Sequence, residues 1–420
     1  MMARFQLLLA VCCLSLSRAN LAYADQLPKG PVTPANKCSA TDPLVVLSGN
    51  DLIPVLGAPV RQLSLLRVSS TGLTPILFQV DRRDAQGRYI IEEADATASR
   101  GPPLGFHDEL VFLASDAGAR LGDVARRGEA AQLAEIRLDD TPGAPTKWVY
   151  VSSSSDSRAV HGNRHIQYDA DGDLVISAAY QLGFDTQLPF LVDNFRWNTD
   201  DSDGWSPNLV DTMKIRHRGR FLGFIPFTRT QRDYRSKLTA VKAGPVRIIR
   251  RTENRIRLLW HLNTPAVYID YVIMPGGFVM DTVIDIPFNV GLFFNGIETL
   301  TTVDWNADAA LPRLTVKAPG HHNAATIDGH MSSDKQAFNV LQAHQFTVTS
   351  ALGEMHVSLE IPPGGLITPW LYLRDALNEA DPPENSAGQF GNVGFRTTGW
   401  EQINAEVQHV KFTVCLEAKR

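Results

Sequence analysis

"VYIDYVIMPGGFVMDTVIDIPF", residues 267–288, sets two long runs rich in β-branched residues on either side of Pro275-Gly276-Gly277. Valine and isoleucine favour extended backbone, and a Pro-Gly-Gly break supplies turn geometry. The stretch predicts two antiparallel strands joined by a tight hairpin. Outward from it the same grammar recurs. "LFQVDRRDAQGRYIIEE" turns at Ala85-Gln86-Gly87, "HIQYDADGDLVISAAY" at Asp171-Gly172, and "FTVTSALGEMHVSLEI" at Leu352-Gly353-Glu354. Only Ser115–Leu138 has helix-like composition, and its internal glycines leave one short helix or an extended loop as the alternatives. Closely spaced strands without crossover helices predict an all-β chain of antiparallel sheets packed as sandwiches.

Gly143 to Pro145 and the polar run Ser152 to Ser157 mark a boundary. The expected division is an N-terminal β-sandwich domain over 25–150 and a larger β-sandwich or supersandwich domain over 151–420. No internal repeat stands out. An outer-membrane barrel is the competing all-β architecture. The ending "CLEAKR" and the continuous apolar runs "RIRLLW" and "GLFFNG" favour packed sheets over it.

The first 24 residues read as a signal peptide. Arg4 supplies the positive n-region, Phe5 to Leu16 the short apolar core, and Ala22-Tyr23-Ala24 the small-x-small cleavage signal. Cleavage would remove Cys12 and Cys13 and leave Cys38 and Cys415, which an oxidising compartment would join. "HVKFTVCLE" alternates, so Cys415 shares a face with Lys411 and Thr413, opposite Val410, Phe412, Val414 and Leu416. Export predicts a periplasmic, cell-surface or extracellular protein. No later apolar run reaches transmembrane length, which argues against an integral α-helical membrane protein. The 420 residues hold 44% hydrophobic and 20% charged residues, an ordinary globular composition, and a net charge of −5.

Four stretches could carry chemistry. "APGHHNAATIDGH" (318–330) gathers His321, His322 and His330, with His344 and His356 following. Zinc or copper needs three or four convergent donors, and adjacent strand residues point to opposite faces. The stretch therefore reads first as a polar loop, and no metal is assigned. "YDADGDLV" places Asp169, Asp171 and Asp173 around a glycine but has Ala178 where a calcium loop needs its bidentate Glu, so it reads as a hairpin turn. "FRWNTDDSDGW" brackets Asp200, Asp201 and Asp203 with Trp197 and Trp205. Aromatic faces stack on sugar rings, and paired carboxylates are what glycoside chemistry uses. Finally, fourteen Lys/Arg lie between Lys214 and Arg257 against Asp233 and Glu253 alone. Either their outward positions make a basic face for anions, or acids from 193–211 and 270–308 pair with them. No nucleophile elbow, phosphate-cradling loop or dinucleotide fingerprint occurs, and no cofactor is expected.

"AGPVRIIRRTENRIRLLW", Ala243 to Trp260, resembles the Gly-Pro-hydrophobic-Arg entry into a long strand of galactose-mutarotase-like β-supersandwich proteins. The resemblance implies that fold for the second domain, whose length of about 270 residues is similar. It also implies carbohydrate handling, in which such proteins often use His and Asp/Glu as acid and base; no catalytic residue of the family is carried over to a position of this chain. The reading is an exported binding or scaffold protein of the envelope or periplasm, with a polysaccharide, an anionic glycan or another envelope component as partner and no nucleic acid. The alternative is a carbohydrate-active lyase, epimerase or hydrolase using Asp/His acid–base chemistry.

Overall fold

The computed structural model describes residue 38 and residues 43–91, 101–122, 133–138, 146–154, 164–199, 204–259, 262–285, 289–309, 314–361, 366–379, 388–404 and 407–419. The chain is all-β, with antiparallel pairing throughout these residues. The signal-peptide reading lies outside them. No described helix is long and apolar enough to cross a membrane.

Two sheets come first. Leu44–Ser48, Glu109–Leu113 and Gln79–Asp81 form one, and Gly72–Pro75, Leu63–Ser69, Lys147–Ser153 and Leu133–Leu138 the other. Val45, Leu47, Leu65, Leu110, Phe112, Ile136, Val149 and Val151 are buried between them. The region with helix-like composition is therefore corrected in part. Its described ends are a single 3-10 turn, Ala114–Asp116, and the strand Leu133–Leu138. In "LAEIRL" the residues Ala134, Ile136 and Leu138 alternate with Glu135 and Arg137, a period of two that outweighs the helix propensities of Ala, Glu and Leu.

A four-stranded sheet follows, from Ile166–Asp169 through Leu174–Ser177 and Tyr180–Phe184 to Val192–Trp197. Beyond it lie a five-stranded and a ten-stranded sheet. The five-stranded sheet runs Ile225–Arg229, Val210–Phe221, Phe294–Trp305, Gln389–Thr398, Thr368–Ala376. The larger sheet begins Tyr234–Ala243, Ile248–Leu259, Val267–Met274, Gly277–Asp285, Val407–Ala418, Gly353–Glu360. Their inner faces share one core, in which Ile215, Trp305, Leu373 and Phe395 meet Ile273, Met280, Phe346 and Val410.

The hairpin of 267–288 lies at the centre of this arrangement. Met274 pairs with Gly277 across the turn, and Gly277 has φ +146°. A Cβ there would fall 2.0 Å from the Val414 carbonyl oxygen of the neighbouring strand, so only glycine fits. Ile269, Tyr271 and Ile273 belong to the main core, whereas Val272 and Met274 pack on Leu44, Val111 and Leu113 of the N-terminal sheet. Covered on both faces, the strand is a nearly continuous apolar run.

The "AGPVR" entry joins the layers. A Cβ on Gly244 would overlap the Gln79 side chain, whose Oε1 accepts the Val246 and Arg247 backbone N–H groups. Buried Arg247 then pairs with Asp81 at 2.6 Å and Glu109 at 2.5 Å, and Lys242 also reaches Asp81. Burial pushes the Asp81 carboxyl up, but Arg247 and Lys242 outweigh it and hold the group below its ordinary range. Cys38 and Cys415 form the disulfide, with Cα atoms 4.4 Å apart, and tie the start of the described chain to its last strand.

Candidate functional site

The five-stranded sheet turns its second face away from the core, and alternation selects what that face carries. On Val210–Phe221, Met213 and Ile215 point inward, leaving Arg216 and Arg218 on the other side. Register then aligns Arg216 with Leu300, Leu300 with Arg396, and Arg396 with Trp370. One residue pair along, Arg218 faces Glu298. On Thr368–Ala376 the inward Leu371 and Leu373 leave Trp370, Tyr372 and Arg374 outward. A groove of about 360 Å³ lies here, lined by Arg216, Arg218, Glu298, Tyr372, Arg374 and Arg396 together with Leu300, Asn339 and Leu373. That volume is within the range of small-ligand sites.

Among the described residues the groove lining carries four guanidinium groups and the Glu298 carboxylate. Glu298 pairs with Arg218 at 2.7 Å and lies 3.8 Å from Arg396, and Arg374 pairs with Glu379. The Arg396 guanidinium also lies over the Trp370 ring, 5.6 Å from its centroid. Planar guanidinium forks match carboxylate, sulfate and phosphate oxygens, and the half-buried Trp370 and Tyr372 rings offer flat faces beside them. At one end the sheet face closes over a buried ion pair, Lys214 and Asp304, 2.8 Å apart. Burial raises the Asp304 carboxyl, while Lys214 and the Phe390 backbone N–H pull it back.

The residues singled out from sequence fare differently. Trp197 is 1% exposed and packs edge-on against Phe195 at 5.2 Å, so its ring is enclosed and offers no face to a sugar. Trp205 is half-buried in an isolated bridge with Asn198. Asp200, Asp201 and Asp203 lie outside the described residues. His321 bonds through Nδ1 to its own loop, the Asn323 carbonyl, and rests on Phe338. His322 and His330 are exposed. Among the described residues no group of three His, Cys, Asp or Glu is placed to hold a metal. What organises that loop is Lys335, whose buried ammonium contacts Asp328, Asp375 and the His330 carbonyl. The "YDADGDLV" turn serves the interior, where Asp173 is the counterion of buried Arg250.

Acids of 270–308 pair with part of the basic segment, one of the two alternatives expected. Lys214, Arg251 and Arg218 pair with Asp304, Asp270 and Glu298, Arg250 pairs with Asp173 from outside the expected ranges, and Arg216 and Arg218 line the groove. The groove's other half, Tyr372, Arg374 and Arg396, with Trp370 under the Arg396 guanidinium, is absent from the sequence reading. Its signal was present in "TPWLYLRDA", where Trp, Tyr and Arg recur at every second position.

A second cavity, about 100 Å³, lies in the core among Leu182, Phe195, Met213, Tyr271 and Phe412. It is smaller than ligand sites commonly are and is bounded almost wholly by apolar side chains.

No family model matches the sequence, and no curated protein matches it. Solved structures with a similar course include an alpha-mannosidase from Enterococcus faecalis V583, with TM-score 0.43 and 10% identity over 86% of this chain and 38% of that one. A glycosyl hydrolase family 38 protein from Enterococcus faecalis gives TM-score 0.44 and 9% identity over 86% of this chain and 39% of that one. The chain spans about two fifths of the length of these two proteins.

Proposed function

We propose that the protein is exported and binds an anionic glycan in the arginine groove of the five-stranded sheet. One observation carries this reading: Arg216, Arg218, Arg374 and Arg396 converge beside Trp370 and Tyr372 on a single sheet face. Acidic groups on the sugar would meet the guanidinium forks, and a ring face would stack on Trp370. The disulfide is in keeping with an oxidising compartment. Glu298 is held by two arginines, so its role is to orient them, and the reading is binding rather than turnover.

Titration calorimetry with a polyuronate oligosaccharide and its neutral counterpart tests the proposal. The acidic oligosaccharide binds, the neutral one binds far more weakly, and affinity falls as salt rises. Arg216→Gln and Arg396→Gln each weaken binding about 10- to 100-fold, the loss of one charge-assisted contact. Equal affinity for both oligosaccharides, or unchanged affinity after Trp370→Ala together with Arg396→Gln, would overturn it.

A further inference from the structure

The run "GLFFNG" (291–296) is not packed inside the sandwich, contrary to its apolar composition. Leu292 is 69% exposed and Phe293 41%. Beside it stands the tip of the hairpin joining Val210–Phe221 to Ile225–Arg229, where Phe224 is 72% exposed, Leu222 51% and Ile225 37%. The Leu222 backbone N–H donates to the Phe293 carbonyl at 2.7 Å, so the two loops form one patch. Scattered exposed apolar residues are ordinary; five large ones on two hydrogen-bonded loop tips are not.

Both loops are held firmly from below. Phe221 and Phe227 pack on Phe294, with centroids 5.4 and 5.6 Å from it. Val290 is buried with Ile367 and Ile403, which anchors the second loop while its next side chains project. The tip turn also has an unusual composition. Leu222 and Gly223 have φ +50° and +79°, two successive left-handed residues in the three-residue loop that the Phe221–Ile225 pairing leaves. Asparagine is the low-cost residue at the first of these positions, and leucine is a costly one. The turn accepts backbone strain in order to present an apolar side chain.

We infer that these two tips insert into the interfacial region of an anionic phospholipid bilayer. Charge selects this occupant. Residues 219–227 and 290–296 contain no acid, and exposed Arg220 follows immediately down the strand from the tip. Interfacial binding scales with apolar area plus attraction of cations to anionic lipid, and this patch has both elements. A second copy of the chain is the poorer fit. The adjoining edge strand Ile225–Arg229 carries Pro226, which lacks the N–H needed for edge-to-edge pairing, and the apolar groups sit on turn tips rather than on a sheet face. Arg216 and Arg218 of the groove lie on the same strand as the tip, so a docked molecule would hold the groove about 10–20 Å from the bilayer surface. Docking does not depend on what the groove binds.

Flotation of the full chain with vesicles of phosphatidylcholine alone, and of phosphatidylcholine mixed with phosphatidylglycerol, tests the inference. Wild type floats with the mixed vesicles and much less with the neutral ones. Phe224→Ser with Leu292→Ser lowers partition about 100-fold, and Leu222→Asn lowers it about 10-fold. Leu222→Asn relieves the turn, so its thermal midpoint equals or exceeds that of wild type and unfolding cannot account for its loss. Arg220→Gln lowers partition onto mixed vesicles about 5-fold. Arg216→Gln with Arg396→Gln floats like wild type, which separates docking from glycan binding. Absence of flotation, or variants at the tips that float like wild type, overturns the inference. So does a wild-type dimer that Phe224→Ser dissociates without any vesicle binding, an outcome that assigns the patch to a second copy.

Discussion

Replacing Lys214 by methionine isolates the electrostatic cost of the ion pair buried at one end of the groove's sheet. Lys214 is fully buried and its ammonium lies 2.8 Å from the Asp304 carboxylate, itself almost fully buried. Methionine keeps most of the volume and removes the charge. Asp304 is then left with the Phe390 N–H, 2.8 Å away, as its remaining described partner, too little to hold a buried carboxylate ionised. The folded variant takes up a proton instead, while the unfolded chain keeps an ordinary aspartate value near 3.9. Holding the proton costs about 1.4 kcal/mol for each pH unit above that value. Burial already raises Asp304 in the wild type, so the penalty of Lys214→Met is at most about 4 kcal/mol at pH 7 and at most about 1.5 kcal/mol at pH 5. The sign follows from linkage: the variant's folded state binds the extra proton, so the stability deficit shrinks as pH falls. Adding Asp304→Leu removes the buried acid and recovers most of the loss, short of about 1 kcal/mol for the orphaned Phe390 N–H. Urea denaturation of wild type and both variants at the two pH values measures this. A penalty that is the same at pH 5 and pH 7 would refute the reasoning, as would one below about 1 kcal/mol at pH 7.

Three further outcomes follow from the interior. Gly244→Ala drives the Gln79 side chain from its place and frees the Val246 and Arg247 N–H groups, costing about 2 kcal/mol by urea denaturation. Cys38→Ser with Cys415→Ser opens a crosslink between residues separated by 377 positions and lowers stability by up to about 5 kcal/mol under non-reducing conditions; wild type treated with reductant shows the same loss. His217 bonds to Thr299 and Tyr234, and burial lowers its pKa to about 4. The unfolded chain therefore gains a proton near pH 6.5 before the folded one does. Stability present above pH 6.5 is lost as pH falls toward 4, by up to about 3 kcal/mol, and His217→Gln flattens that part of the thermal-midpoint profile.

The strands and their antiparallel pairing were legible because turn chemistry is local. Pro275-Gly276-Gly277, Asp171-Gly172 and Leu352-Gly353-Glu354 each sit where the chain reverses. The Ala85-Gln86-Gly87 hairpin is the least regular of the four. Arg83 and Tyr89 make a single bridge, and Gln79–Asp81 pairs instead with Glu109–Leu113. No local signal announces that partner, which is thirty residues away in the chain.

The candidate site was half legible, and the missing half has a physical reason. A guanidinium's fate depends on which face its strand turns outward and on which acid a remote strand delivers. Arg250 and Arg218 look alike in sequence, yet one is buried against Asp173 and the other lines the groove. Parity would have sorted the aromatics. In "VDNFRW" Phe195 and Trp197 share a face with the core while Asn194 and Arg196 alternate away, so the aspartates after Trp197 drew attention to a residue that packing had already claimed. In "TPWLYLRDA" the same test puts Trp370, Tyr372 and Arg374 together on the other side of Leu371 and Leu373. "GLFFNG" fails in the opposite direction: composition alone makes it core, yet Val290 is buried among Ile367 and Ile403 while Leu292 and Phe293 are exposed. Apolar sequence sets the energy available on burial. Whether the burying surface is another sheet or a bilayer is decided by what the fold leaves on the far side.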